Sequence, residues 1–119
     1  MTSWKKLFLS IALGFLYTSP LYAYNTSFLS YSAIYYFNSQ DTQLMKAAIQ
    51  QGLNSTKDGV KVSWRNPHST AFGYVIPSNT SNKNGVTCRD LKLFNSARKV
   101  TGESQFRYCK LNGVWKVVS

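Results

Sequence analysis

The segment that decides the fold is residues 60–119, which opens with VKVSWRNP (60–67) and closes with RYCKLNGVWKVVS (107–119). Its strongest local signal is Asn112-Gly113, a pair that favours the two-residue type I′ turn of a β-hairpin. That turn pairs the two arms in register, and side chains alternate between the faces of each arm. Cys109 then falls on the face opposite to the core. Four residues are predicted to share the core face: Phe106, Tyr108, Trp115 and Val117.

Two strands are predicted upstream of this hairpin, each with one buried face. In both, apolar residues alternate with other residues, a pattern typical of a sheet that is covered on one side. The apolar series of the first strand is Val60, Val62 and Trp64, and that of the second is Phe72, Tyr74 and Ile76. Pro67 and Pro77 are expected to end these strands, because proline cannot donate a hydrogen bond to a neighbouring strand.

Two polar segments separate the later strands. Residues 78–85 (SNTSNKNG) and residues 95–104 are predicted to be loops, because turn-forming residues are concentrated in them. The strand between them begins at Val86. Cys88 and Leu91 of that strand fall on opposite faces, which indicates a bulge or a strong twist near Arg89-Asp90.

Residues 40–53 are predicted to form an amphipathic helix. Ser39 or Asp41 is the expected N-terminal cap, and Gly52 and Asn54 stand where the helix is expected to end. Its apolar stripe consists of Leu44, Met45, Ala48, Ile49 and Leu53. The predicted fold class is therefore α+β: one N-terminal amphipathic helix packed on a small twisted antiparallel β-sheet of four to five strands, with one disulfide.

The beginning of the chain has the composition of an export signal. Residues 1–23 contain Lys5-Lys6, a ten-residue apolar run (7–16, LFLSIALGFL) and a small residue at Ala23, as secretory signal peptides do. An uncleaved signal anchor is the alternative, and no transmembrane span is expected in the mature chain.

The uncharged aromatic segment 24–39 precedes the domain predicted for residues 40–119. Periodicity leaves open whether this segment forms a helical turn or an edge strand. It is expected to dock on its own sheet, with a partner-binding segment or a mobile tail as the alternatives.

Cys88 and Cys109 are the two cysteines of the chain. Behind an export signal, an even pair in a small domain predicts a disulfide, which here closes a loop of about 20 residues and is worth about 3 kcal/mol in the chain-entropy model. A two-ligand metal site is the weaker interpretation, because His68 is the sole histidine and no CxxC spacing occurs. No cofactor is expected.

The chain is strongly basic, with fourteen Lys and Arg against four Asp and Glu. Such a surface attracts polyanions such as lipopolysaccharide or anionic lipid headgroups, whereas the simpler alternative is that the charge only keeps a small secreted protein soluble. Nucleic acid is the less favoured polyanion. The cations of the strands are predicted to form an anion-binding surface: Lys61, Arg65, Arg89, Arg107 and Lys116. Trp64 and Trp115 beside them are assigned to the core.

These landmarks resemble the C-terminal domain of the seventeen-kilodalton bacterial outer-membrane surface antigens. The likeness covers about residues 41–119. The motifs that carry it, in order, are Trp-Arg-Asn-Pro (64–67), Gly73, Pro77, Gly85, Cys88-Arg89, Tyr108-Cys109 and Gly113-x-Trp115. The lipid-attachment cysteine and glycine-rich membrane segment usual in those antigens have no counterpart, so membrane anchoring is not carried over. The resemblance implies a surface or periplasmic location and transfers no catalytic residues.

The residues predict no constellation for catalysis. His68 and Glu103 are each the sole residue of their type, and neither a glycine-rich phosphate loop nor a metal-ligand cluster is present. We therefore expect a non-catalytic structural or binding domain of the periplasm, outer membrane or cell surface. Its expected partner is an anionic envelope component or an envelope protein. The alternative is a secreted or periplasmic inhibitor or other partner-binding module, and an enzyme is the least favoured hypothesis.

Overall fold

The computed structural model describes residues 33–119, and the predicted signal peptide lies outside them. A short 3₁₀-helix (Ala33–Tyr36) precedes one α-helix, α1 (Ser39–Ser55), and five strands follow. The strands are β1 (Val62–Arg65), β2 (Phe72–Lys83), β3 (Val86–Ala97), β4 (Val100–Leu111) and β5 (Val114–Val117).

The five strands form one antiparallel meander in the order β1-β2-β3-β4-β5. The predicted turn at Asn112-Gly113 is confirmed, and Tyr108 pairs with Val117 as expected. Phe106, Tyr108 and Trp115 pack against the core. Val117 does not, because β5 is a short edge strand and leaves this side chain 53% exposed. The predicted class, one helix packed on a small antiparallel sheet with a disulfide, is confirmed.

The two segments predicted as loops are arms of long hairpins. β2 continues to Lys83, and the strands that flank the turn at 98–99 run from Val86 to Ala97 and from Val100 to Leu111. The prediction of loops at 78–85 and 95–104 is therefore wrong. Cross-strand pairing satisfies the backbone of these arms, so their polar side chains do not prevent strand formation. Composition alone does not reveal that pairing.

The predicted inward face of β2 is wrong by one residue. Its buried residues are Gly73, Val75 and Pro77, whereas Phe72, Tyr74 and Ile76 lie on the opposite face. Trp64 of β1 pairs directly with Gly73. Because glycine has no side chain, the large indole can lie over this position, and a shift of one residue moves every other side chain of the strand. The strand also continues through Pro77. In β1, Val62 and Trp64 are buried as predicted, but Val60 precedes the strand and is 49% exposed.

A bulge interrupts the pairing of β2 and β3. Asn79 and Thr80 of β2 stand opposite the single residue Arg89 of β3, and Asn79 has a positive φ of 49°. The bulge predicted at this point is present, but the additional residue belongs to β2. β3 keeps its regular alternation, so Leu91 faces the core while Cys88 faces away from it.

The N-terminal cap of α1 is Asn38, so the prediction of Ser39 or Asp41 as the cap is wrong. Asn38 accepts a hydrogen bond from the Asp41 backbone N–H at 2.8 Å, and the Asp41 carboxylate accepts one from the Asn38 N–H at 2.9 Å. This reciprocal pair is a capping box. The helix also continues past Gly52, which is buried in its interior. A Cβ there would lie 2.9 Å from Val75 Cγ2, so glycine permits the helix to approach the sheet closely.

The core lies between α1 and one face of the sheet, called the core face below. Met45, Ala48 and Leu53 of the predicted stripe are buried there, and Leu44 and Ile49 pack at its edge. The N-terminal segment also reaches this core. Ala33 is fully buried, and Phe37 packs edge-on against Trp64 with ring centroids 5.4 Å apart. The described part of the aromatic segment therefore docks on its own sheet.

The predicted disulfide is confirmed on the other face of the sheet, called the outer face below. Cys88 and Cys109 are direct cross-strand neighbours of β3 and β4 and are joined through their sulfur atoms. Cys88 is half-buried and Cys109 is buried. The bridge therefore ties the two longest hairpin arms together on the side that α1 does not cover.

Arg89 joins the end of α1 to the sheet. It is 7% exposed, and its guanidinium donates to the carbonyls of Gly52, Leu53 and Thr56 at 2.6–2.9 Å. The last carbonyls of a helix have no partner within the helix and carry its partial negative charge. The remaining N–H groups reach Thr80 Oγ1 at 2.8 Å and Asp58 Oδ1 at 2.9 Å. All five donors of the side chain are thus used inside the domain.

Replacing Arg89 with methionine should lower the free energy of unfolding by at least about 3 kcal/mol, because several buried carbonyls lose their partner. Urea denaturation followed by circular dichroism measures this change. Lys92→Met is the matched control, since Lys92 forms an exposed ion pair with Glu103 on the same strand and its loss should have little effect. Equal effects of the two substitutions would contradict the role given to Arg89.

Acid should weaken this junction. Hydrogen bonds from Thr80 and Arg89 lower the pKa of Asp58 to about 2. A carboxylate whose pKa is lower in the folded than in the unfolded chain stabilises the fold above its unfolded pKa, and that stabilisation disappears as the pH falls through the folded value. We therefore expect part of the stability to be lost between about pH 4 and pH 2. Thermal denaturation over this range should show a smaller loss for Asp58→Asn than for the parent.

Candidate functional site

Three aromatic rings lie together on the outer face of the sheet. Tyr74 stacks on Phe94 with ring centroids 5.0 Å apart and 15° between the ring planes, and Phe72 lies 6.2 Å from Phe94. All three side chains are half-buried. They reach this face because β2 places Gly73 and Val75 inward. The solvent side of the sheet therefore carries an aromatic surface that α1 does not cover.

Two cations of the first strand region lie against this aromatic surface. Lys61 Nζ is 4.1 Å from the centre of the Tyr74 ring, and the Arg65 guanidinium carbon is 4.7 Å from that of Phe72. Attraction between a cation and a ring face holds both side chains extended along the sheet while their charges stay in water. Both residues are exposed. An open groove of about 300 Å³ runs between them, and its lining is Lys61, Ser63, Trp64, Arg65, Phe72, Gly73 and Tyr74.

The outer-face cations nearer the middle of the sheet are neutralised instead. Arg107 contacts Asp90 at 2.8 Å, and Lys92 contacts Glu103 at 3.1 Å. Hydrogen bonds from Asn79 and Arg107 lower the pKa of Asp90, and the hydrogen bond to Glu103 raises the pKa of Lys92. Both ion pairs therefore remain charged at neutral pH and leave little net field over β3 and β4.

The five predicted anion-binding residues therefore have different surroundings. Lys61 and Arg65 lie together beside the groove, and Lys116 is exposed on β5 at the other edge of the outer face. Arg107 is half-buried and bound to Asp90. Arg89 is on the core face and does not reach the surface, because the helix end occupies its donors. Sequence reasoning also missed the aromatic side of the groove, since it assigned Phe72 and Tyr74 to the core.

Every carboxylate side chain of the protein is engaged within the domain. Asp58, Asp90 and Glu103 form the ion pairs described above. Asp41 is 2% exposed and accepts hydrogen bonds from Asn66 at 2.6 Å and Ser69 at 2.7 Å, as well as from the capped helix end. Burial raises the pKa of Asp41, but these hydrogen bonds together bring it below its usual value. Of the twelve Lys and Arg within residues 33–119, nine lack a carboxylate partner there.

The described part of the chain holds no group of three His, Cys, Asp or Glu that could bind a metal ion. None of the helices in residues 33–119 is long and apolar enough to cross a membrane. The buried Asp41 and Asn66 and the half-buried Ser69 tie the start of α1 to the loop between β1 and β2, and that network has a structural role.

A helix-covered antiparallel meander with one cross-strand disulfide defines a small α+β domain, and its sequence is similar to that of known surface antigens. The chain is 33% identical over 87 residues to the 17 kDa surface antigen of Rickettsia felis, a match that covers 69% of this chain and 53% of that protein. It is 32% identical over the same length to the 17 kDa surface antigens of Rickettsia conorii and Rickettsia prowazekii. The predicted resemblance is thus confirmed: the chain is a homologue of the 17 kDa surface antigens.

The chain spans about half the length of the curated relatives it matches. No protein-family model matches the chain. No solved structure matches it either. The relationship to known proteins is therefore supported by sequence identity to the surface antigens.

The floor of the groove should be intolerant of any side chain at position 73. A Cβ on Gly73 would clash with the Phe94 carbonyl oxygen and would lie 2.8 Å from Trp64 Nε1. Gly73→Ala should therefore displace the indole and lower the free energy of unfolding by about 1–3 kcal/mol. Chemical denaturation measures the loss, and Ser63→Ala on the exposed side of β1 is the control. Wild-type stability of Gly73→Ala would show that the indole does not lie over this residue.

Proposed function

We propose that this protein is an exported protein of the cell envelope or cell surface whose domain binds anionic envelope components without catalysing a reaction. Lipopolysaccharide and anionic lipid are the ligands of this chemistry. The relatives are named surface antigens, and this supports the location. The outer face of the sheet, with Lys61, Arg65 and Lys116, is the proposed contact surface.

The observation that carries the proposal is the engagement of all four acidic side chains inside the domain. On a surface where acidic and basic side chains are interspersed, the opposite charges cancel and a ligand meets little net electrostatic potential. Here the nine cations without a carboxylate partner in residues 33–119 meet no opposing side-chain charge, so an approaching polyanion is attracted over a wide area.

The cations beside the groove support a specific contact rather than general solubility. Lys61 and Arg65 are held over Tyr74 and Phe72, so less side-chain freedom is lost when they bind an anion. The half-buried rings next to them can contact the apolar parts of a lipid or glycan. Binding of this kind weakens as salt screens the charges.

Replacing Lys61, Arg65 and Lys116 together with glutamate should abolish retention in the envelope. The measurement is co-sedimentation of the protein with outer-membrane vesicles at low and high salt. The parent should bind at low salt and be released at high salt, whereas the triple variant should stay in the supernatant at both.

The matched control replaces Lys46, Lys57 and Lys110 with glutamate. These exposed lysines give the same change in net charge but lie on α1, after its end and on the core-face side of β4, where Lys110 pairs with Trp115. Retention of the control and loss of the outer-face variant would support the proposal. Equal retention of both, or binding of the parent that high salt does not reverse, would contradict it.

A further inference from the structure

Three two-residue hairpin turns connect strands of the sheet. They share the same backbone conformation but differ in their residues. Asn84-Gly85, Arg98-Lys99 and Asn112-Gly113 each join antiparallel neighbours, and all six residues have a positive φ between 52° and 78°. Asn-Gly is the preferred pair for this turn, because glycine has no side chain to clash and asparagine tolerates the left-handed region. The turn between β3 and β4 carries two long cationic side chains instead.

This choice opposes the local conformational preference of the chain. A residue other than glycine, asparagine or aspartate is uncommon at positive φ, and here two such residues are adjacent, with φ of 52° and 64°. The turn is held by a hydrogen bond from the Arg98 backbone N–H to Thr70 Oγ1 at 2.9 Å. Backbone strain that the surrounding fold maintains is a pointer to function. The strained turn places two neighbouring exposed cations at the tip of the β3–β4 hairpin.

Two exposed tyrosines lie beside this tip. The Arg98 guanidinium carbon is 5.3 Å from the centre of the Tyr36 ring, and the Tyr35 and Tyr36 rings meet edge-to-face with centroids 5.1 Å apart. Tyr35 is 63% exposed and Tyr36 is 38% exposed. Tyrosine is enriched where membranes meet water, because its ring is apolar and its hydroxyl is polar. We call Tyr35, Tyr36, Arg98 and Lys99 the tyrosine–cation end of the domain.

Its charge is not offset by the domain. Neither Arg98 nor Lys99 has a carboxylate partner among residues 33–119. Cations that stand free beside exposed aromatic rings match the two layers of an anionic membrane surface, in which phosphates lie above an apolar boundary.

We propose that the tyrosine–cation end rests on the headgroup layer of an anionic lipid bilayer. Arg98 and Lys99 contact lipid phosphates there, and the rings of Tyr35 and Tyr36 enter the interface beside them. The contact rests on the proposed function only in taking an anionic envelope surface as the partner. It uses a different part of the domain from the groove beside Lys61 and Arg65.

The test replaces Arg98 with asparagine and Lys99 with glycine, which restores the preferred turn while removing both charges. The protein recovered from the cell envelope is titrated with vesicles of phosphatidylethanolamine containing phosphatidylglycerol. We expect the variant to bind these vesicles at least about tenfold more weakly than the parent, since each basic residue near an anionic surface contributes to the attraction. We also expect its thermal midpoint to rise, because the strained turn is relieved.

A second pair of variants separates local contact from general charge. Lys57→Gln with Lys83→Gln also removes two positive charges, but at residues after α1 and at the end of β2, and should leave binding nearly unchanged. Tyr35→Ser should weaken binding, because the apolar part of the contact is lost. The binding that remains should be more sensitive to salt than that of the parent.

The possible results are distinct. Equal weakening by the turn variant and by the Lys57 and Lys83 variant would mean diffuse attraction and would overturn the inference. Unchanged binding of the turn variant, together with loss of binding on replacement of Lys61, Arg65 and Lys116, would overturn it while the proposed function stands. If the parent binds outer-membrane vesicles but not phosphatidylglycerol vesicles, the lipid contact is refuted, while the proposed function still stands.

Discussion

The fold depends on the position of the Arg89 guanidinium beneath the end of the helix. A helix that ends against a sheet leaves carbonyl groups without partners, and a buried carbonyl without a hydrogen bond is costly. Arg89 satisfies three of these carbonyls and also binds Asp58 and Thr80. The bulge in β2 belongs to the same arrangement, since it brings the Thr80 hydroxyl within reach of the guanidinium. One side chain thus fixes the helix end, the segment after it and the irregular part of the sheet. Gly52 completes the junction because its lack of a side chain brings the helix close to the sheet.

How much of this structure could be predicted from sequence depends on whether a signal is local. The helix and the Asn112-Gly113 turn are predicted by residues close together in the sequence, and the disulfide is predicted by the presence of two cysteines. All three are confirmed. The face of β2 is not a local property. It is decided by the pairing of Trp64 with Gly73, which permits a large ring to lie across a residue without a side chain. The alternation of apolar residues alone places Phe72 and Tyr74 in the core, and the pairing places them on the outer face.

The same distinction applies to the candidate site. Arg89 lies two and four residues before Leu91 and Leu93, so the three side chains share one face of β3. Because both leucines are buried, this alternation could have indicated that Arg89 faces the core. The pairing of Arg107 with Asp90 is visible only once β3 and β4 are in register. A list of cations in a sequence therefore mixes structural residues with free ones. Burial and ion pairing in the structure distinguish the two kinds. The cations that remain exposed and without a carboxylate partner define the basic surface.

Net charge by itself does not distinguish a protein that is merely soluble from one that binds anions, but the placement of its charges does. Charge that serves solubility alone can stand on any flexible side chain at no conformational cost. In this domain Lys61 and Arg65 are held against aromatic rings, and Arg98-Lys99 occupies a turn where side chains are disfavoured. Two other turns in the same sheet use Asn-Gly, so the chain is not limited by the residues available to it. Restricted cations beside aromatic rings favour the proposed contact over general solubility, because solubility requires neither the restriction nor the rings.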